Sequence, residues 1–130
     1  MESWLKLSHS QLSPRKQHRL LEVFGEPDAV LNATTEALAE VGGITEADVA
    51  RLRAVNRTVD VAAEQEKLTA AGAEATTIRD ATYPRPLRNI ADPPVVLYVR
   101  GQWRDSDERS VALVGTRRPS NYGRVIAEDI

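Results

Sequence analysis

The sequence predicts an α+β chain: a small helical bundle over residues 1–74, then, over 75–130, the first strands and helix start of an α/β domain. Three observations predict it. Charge divides at Ile78: residues 1–78 carry 8 basic and 12 acidic side chains, net −4, whereas residues 79–130 carry 9 and 7, net +2, and all nine bases are arginine. Proline divides the same way, with Pro14 and Pro27 before that point and Pro84, Pro86, Pro93, Pro94 and Pro119 after it. Alanine-rich, proline-poor sequence favours helices, and the proline-rich, β-branched remainder favours strands and turns. The boundary falls near residues 72–82.

The helical part is read in order. Trp4, Leu5 and Leu7 suggest a short opening helix. Ser13-Pro14 is a start signal, a capping residue followed by proline in the first turn. Gln17, Leu20, Leu21 and Phe24 then share one face, and Gly25 offers a left-handed stop. Pro27 to Leu31 makes another short helix. Thr35 is expected to cap a helix from Glu36 to Val41, broken by Gly42-Gly43. Thr45 with Asp48 resembles a capping box for the next helix, which has Val49, Leu52 and Val55 as its apolar stripe. A last helix is expected from about Val59 to Ala71, ending at Gly72.

The second part alternates strands and turns. Ala75 to Ile78 reads as a short strand. Val95 to Val99, after Pro93-Pro94, is a continuous apolar run suited to a parallel-sheet strand covered on both faces, and Val111 to Val114 is a second such run. Arg124 to Ile130, after Gly123, reads as the opening turns of a helix.

Composition excludes several classes. There is no cysteine among the 130 residues, so disulfide frameworks, thiolate nucleophiles and cysteine-ligated zinc are ruled out. No apolar run approaches the roughly 20 residues needed to span a bilayer, and MESWLKLSHS lacks the pattern of a secretory signal. The expectation is a soluble, cytoplasmic protein. The overall charge of −2 argues against a nucleic-acid binder only until it is divided by region.

The informative constellation is a predicted strand, then Gly115-Thr116-Arg117-Arg118-Pro119-Ser120-Asn121-Tyr122-Gly123, then a helix. That is the layout of a phosphate-binding turn: glycine permits close backbone approach, and helix-start N–H groups point at an anion. Ser120 or Asn121 could cap the helix, and Arg117 and Arg118 would add forked charge suited to phosphate oxygens. It is neither the GxGxxG fingerprint, since Arg117 replaces the second glycine, nor a P-loop, since no Gly-Lys-Ser/Thr follows.

Val114 to Gly123 resembles the VG(S/T)R-x-x-S-x-YG signature of the DprA/Smf DNA-processing proteins. Tyr83-Pro84 with Leu87 and Ile90, then Asp92-Pro93-Pro94 leading into Leu97-Tyr98, follow that family's order. The resemblance implies a SAM-like helical domain over 1–74 and the incomplete start of a Rossmann-like DNA-binding domain over 75–130, so the chain reads as an N-terminal portion of a family member. It further implies a single-stranded DNA-binding protein of natural transformation and recombination, acting as a homodimer, protecting incoming strands and helping to load the RecA recombinase. The residues matching the family's DNA pocket are Gly115, Thr116, Arg117 and Ser120, with Arg118 as a neighbour. No catalytic group, metal or cofactor is implied. The helical part is expected to fold well, and the remainder poorly or by pairing with another copy.

Plainer roles compete for other residues. Leu38 to Leu52 also resembles a helix-hairpin-helix, whose glycine turn can hold a DNA phosphate, but Glu46 and Asp48 stand where the phosphate would approach, which favours packing. His9 and His18 lack neighbouring ligands and read as surface polar residues. Trp4 and Trp103 read as packing aromatics, and Asp105, Asp107 and Glu108 as a solvated loop. The alternative classes are a Rossmann-like hydrolase of nucleoside monophosphates and a helical protein-interaction module; the first lacks any nucleophile–base–orienter set here.

Overall fold

Residues 1–112 and 114–129 are described by a computed structural model, in which the helices begin where the sequence supplies caps or prolines. α1 (Glu2–Ser8) buries Leu5 and Leu7. α2 (Pro14–Phe24) starts at Pro14; the Ser13 side chain makes no capping bond, so the fixed φ of proline rather than a cap sets the start. The inward face of α2 includes Gln17, whose Nε2 donates to the carbonyls of Leu7 and Leu12, both at 3.1 Å, and so satisfies the chain leaving α1.

The expected stop at Gly25 has a positive φ but not left-handed helical geometry. With φ 81° and ψ −62°, and the Glu26 N–H donating to the Phe24 carbonyl at 3.0 Å, Gly25 is the centre of a positive-φ γ-turn. α3 (Pro27–Asn32) follows at once. α4 (Thr35–Ala39) is capped by Thr34, whose hydroxyl accepts from the Ala37 N–H at 3.2 Å, one residue ahead of the Thr35 expected. α5 (Glu46–Thr58) carries the predicted Thr45–Asp48 capping box and buries Val49, Leu52 and Val55. α6 (Val61–Ala71) is capped by Asp60 and ends at Gly72 in the left-handed conformation, φ 61° and ψ 35°.

Leu7, Leu20, Val30, Leu38, Leu52 and Val95 form one buried cluster. Five of these come from the helices, and Val95 follows Pro93-Pro94 in the second part. Arg53 of α5 donates to the carbonyls of Leu31 and Ala33, covering acceptors that α3 leaves open at its end. Asp48 lies 3% exposed at the start of α5, receiving Lys16 Nζ at 2.5 Å and the Thr45 N–H at 2.9 Å. The Lys16 hydrogen bond first, and those from Thr45 next, pull its carboxyl down to about 2.

β1 (Ala73–Thr77) and β2 (Val96–Arg100) pair antiparallel, with Ala73 opposite Arg100 and Thr77 opposite Val96. The parallel arrangement expected from the sequence concerned the 95–99 and 111–114 runs; the partner that β2 finds is instead the short strand before it. The connection holds only a turn and α7 (Arg85–Arg88), which is no crossover helix, so the chain returns beside β1 in the opposite sense. β2 is correspondingly half-buried, with Tyr98 44% exposed, rather than covered on both faces. The second predicted run also differs. Val111, Ala112 and Val114 belong to no strand and are exposed, while Leu113 lies outside the described residues. No neighbouring strand among the described residues offers their backbone groups a ladder.

The 76–95 segment docks on the helices. Tyr83, 1% exposed, donates its hydroxyl to the Pro94 carbonyl at 2.8 Å, and the His18 imidazole meets the Pro93 carbonyl at 2.7 Å. Arg79 bonds Glu26 and the Gly25 carbonyl and stands 5.5 Å from the centre of the Trp4 ring. Beyond β2, a 3-10 turn (Asp105–Arg109) precedes α8 (Asn121–Asp129), which begins three residues earlier than expected. Mixed helix with a two-stranded sheet is consistent with the α+β class.

Candidate nucleic-acid interface

The turn from Gly115 to Ser120 enters α8. Its start is set by Ser120, the first of the two predicted candidates: the Ser120 hydroxyl accepts from the Gly123 N–H at 3.2 Å, and its carbonyl receives the Arg124 N–H at 3.1 Å. One first-turn donor is thereby satisfied from within the chain, and the helix dipole presents its positive end to the turn. Residues 114 to 120 are all exposed. Gly115 has open space where a Cβ would stand and no positive φ, so its small size leaves the backbone approachable instead of relieving strain.

The predicted residues divide into two groups. Gly115, Thr116 and Ser120 line a concavity of about 550 Å³ with Tyr122, Gly123 and Arg124. Arg117 and Arg118 do not line it; they stand on the bend that leads into Pro119. Arg124 is the residue that the sequence reading passed over. Its position four residues after the capping serine is the signal that places it on the first turn of α8. From Ser110 to Ala127 there are three arginines, Arg117, Arg118 and Arg124, and no carboxylate. Such a surface can hold a phosphate group by charge and by N–H donation without reading a base edge.

The residues given plainer roles divide, since Trp103, expected to pack, is 44% exposed. Trp4 packs against the core, and Asp107 accepts the Arg104 N–H at 2.8 Å as a turn cap. His9 and His18 are half-buried rather than surface residues, His9 beside Tyr98 and Glu64 and His18 on the Pro93 carbonyl. No helix among the described residues is long and apolar enough to cross a membrane.

The family described as DNA recombination-mediator protein A matches over residues 74–130, a span containing β1 from its second residue, β2, the Gly115–Ser120 turn and α8. The DNA processing protein DprA of Bacillus subtilis (strain 168) is 35% identical over 60 residues, which are 45% of this chain and 20% of that protein. The match therefore spans about one fifth of the relative's length. No solved structure matches the chain. Over residues 74–130 the chain is thus similar to the DNA recombination-mediator protein A family, and the Val114–Gly123 signature lies inside that span.

Proposed function

We propose that the protein serves DNA processing in recombination by binding single-stranded DNA through the Gly115–Ser120 turn. The observation that carries this reading is an exposed glycine–arginine turn at the start of α8, lying inside the family's matched span. Gly115 and Thr116 offer backbone to a phosphate, Ser120 orders the helix start, and Arg117 and Arg118 supply charge from the bend. Arg124 adds a third guanidinium from the helix. Contacts of this kind to the backbone suit a sequence-tolerant single-strand binder.

In this reading the protein is not an enzyme. It protects incoming strands in natural transformation and helps to load RecA, acting as a homodimer in the cytoplasm. Residues 75–130 are the start of a Rossmann-like DNA-binding domain, following a SAM-like helical domain of residues 1–74. The likeness to B. subtilis DprA and the arginine-only basic charge of the second part support it.

Binding of fluorescent oligo-dT over a range of salt concentrations tests the reading. Affinity should fall steeply as salt rises. Arg117→Glu should weaken binding at least tenfold and flatten the slope by about 0.7 for each phosphate that the protein no longer neutralises. An unchanged slope and affinity in Arg117→Glu would remove the turn from the binding site.

A further inference from the structure

The α4–α5 connection has the glycine turn of a helix-hairpin-helix, and in sequence two acidic residues speak against a phosphate there. The structure alters both sides of that balance. Asp48 does not face the approach. It is turned inward, 3% exposed, bonded to Thr45 and Lys16, with Arg51 at 3.5 Å from its other oxygen. Of the two objecting carboxylates only Glu46 remains exposed.

On the favourable side, a guanidinium that no local spacing revealed lies on the turn. Arg19, from α2, donates to the Gly42 carbonyl, and its terminal nitrogen occupies the place where a side chain on Gly43 would stand. Its acceptor is a neutral carbonyl, so the bond positions the arginine without cancelling its charge. The turn closes through the Ile44 N–H to the Val41 carbonyl at 3.0 Å, with Gly43 at φ 84° in the third position, as a type II turn requires. Gly42 and Gly43 are both exposed, and their N–H groups meet no acceptor among the described residues. Arg19 also borders a concavity of about 440 Å³ shared with Arg15 and Arg88, where Glu22 and Asp92 are the opposing carboxylates.

We propose that Gly42-Gly43 with Arg19 forms a second phosphate contact, which takes the backbone of the same DNA. The Gly42 N–H and the exposed guanidinium are donors suited to one phosphate, with no base contact required of them, while the Gly43 N–H, which shares a trans peptide with the carbonyl that Arg19 holds, points the other way. The inference rests on the reading of the protein as a DNA binder, and its test separates the two.

The experiment measures oligo-dT binding by fluorescence anisotropy against salt for the full chain and its variants. Arg19→Gln should weaken binding about three- to tenfold at low salt and lower the slope of log affinity on log salt by about 0.7, whereas Arg19→Lys, which keeps the charge, should retain the slope. Gly42→Asp provides a second test that keeps Arg19 in the chain and sets a carboxylate beside it. The site has open space and no positive φ, so the side chain fits, and its carboxylate should weaken binding at least as much. If both Arg19→Gln and Gly42→Asp keep the parent slope while Arg117→Glu flattens it, the Gly42-Gly43 turn takes no phosphate and the DNA reading stands. If the unaltered chain fails to bind oligo-dT, both fall together.

Discussion

Replacing Asp48 by asparagine removes one negative charge from beneath α5 and leaves the side chain's shape. The residue is 3% exposed and receives Lys16 at 2.5 Å and the Thr45 N–H at 2.9 Å, and its carboxyl is held near 2. That is nearly two pH units below an ordinary aspartate. At about 1.4 kcal/mol per unit the charge contributes at most about 2.5 kcal/mol, and because Lys16 is one-third open to solvent we expect about 1–2 kcal/mol from Asp48→Asn. Asp48→Ala should cost about 1 kcal/mol more, since it also removes the capping box. Urea unfolding followed by circular dichroism measures both at neutral pH.

The sign of the pH dependence follows from the direction of the displacement. The folded carboxyl sits below its unfolded value, so its stabilisation is complete above about pH 4 and is lost as pH falls through about 2. The difference between the parent and Asp48→Asn should therefore shrink toward zero on acidification, even as both lose stability from other carboxylates. A difference below about 0.5 kcal/mol at neutral pH, or one that persists unchanged near pH 2, would refute the role given to this charge.

Two further substitutions test the packing of the second part on the first. Val95→Ala, at a site 1% exposed within the helical cluster, should destabilise the helices and the 76–95 segment together by about 2 kcal/mol; separate unfolding transitions would show that they do not share a core. Gly25→Ala has open space for its methyl group but needs φ 81°, so a loss of about 1–2 kcal/mol in thermal unfolding should come from backbone strain alone.

Local chemistry made much of the helical part legible. Pro14, Thr45 with Asp48, and Gly72 mark helix ends because capping and proline effects act within four residues. The stripes of α2 and α5 follow from helical spacing. The sequence pointed to Thr35 where Thr34 is the cap, since either hydroxyl stands one turn from an open N–H. The runs at 95–99 and 111–114 look alike in sequence, yet among the described residues only Val96–Arg100 finds a partner strand. At the candidate interface, the composition of the turn was legible, as was a cap at Ser120 or Asn121. Which side chains share its concavity was not, and Arg124 joined only when the helix was seen to begin at Asn121.

The sequence by itself determined the division of charge, the succession of helices and the glycine–arginine signature, because each depends on residue identity and near-neighbour spacing. The tertiary structure alone decided that β1 and β2 run antiparallel, that Val95 completes the helical core, and that Arg19 lies on the Gly42-Gly43 turn 23 residues away. These are contacts between distant segments. They are selected by which burial and hydrogen bonding the whole chain can satisfy at once, and no local pattern records that choice.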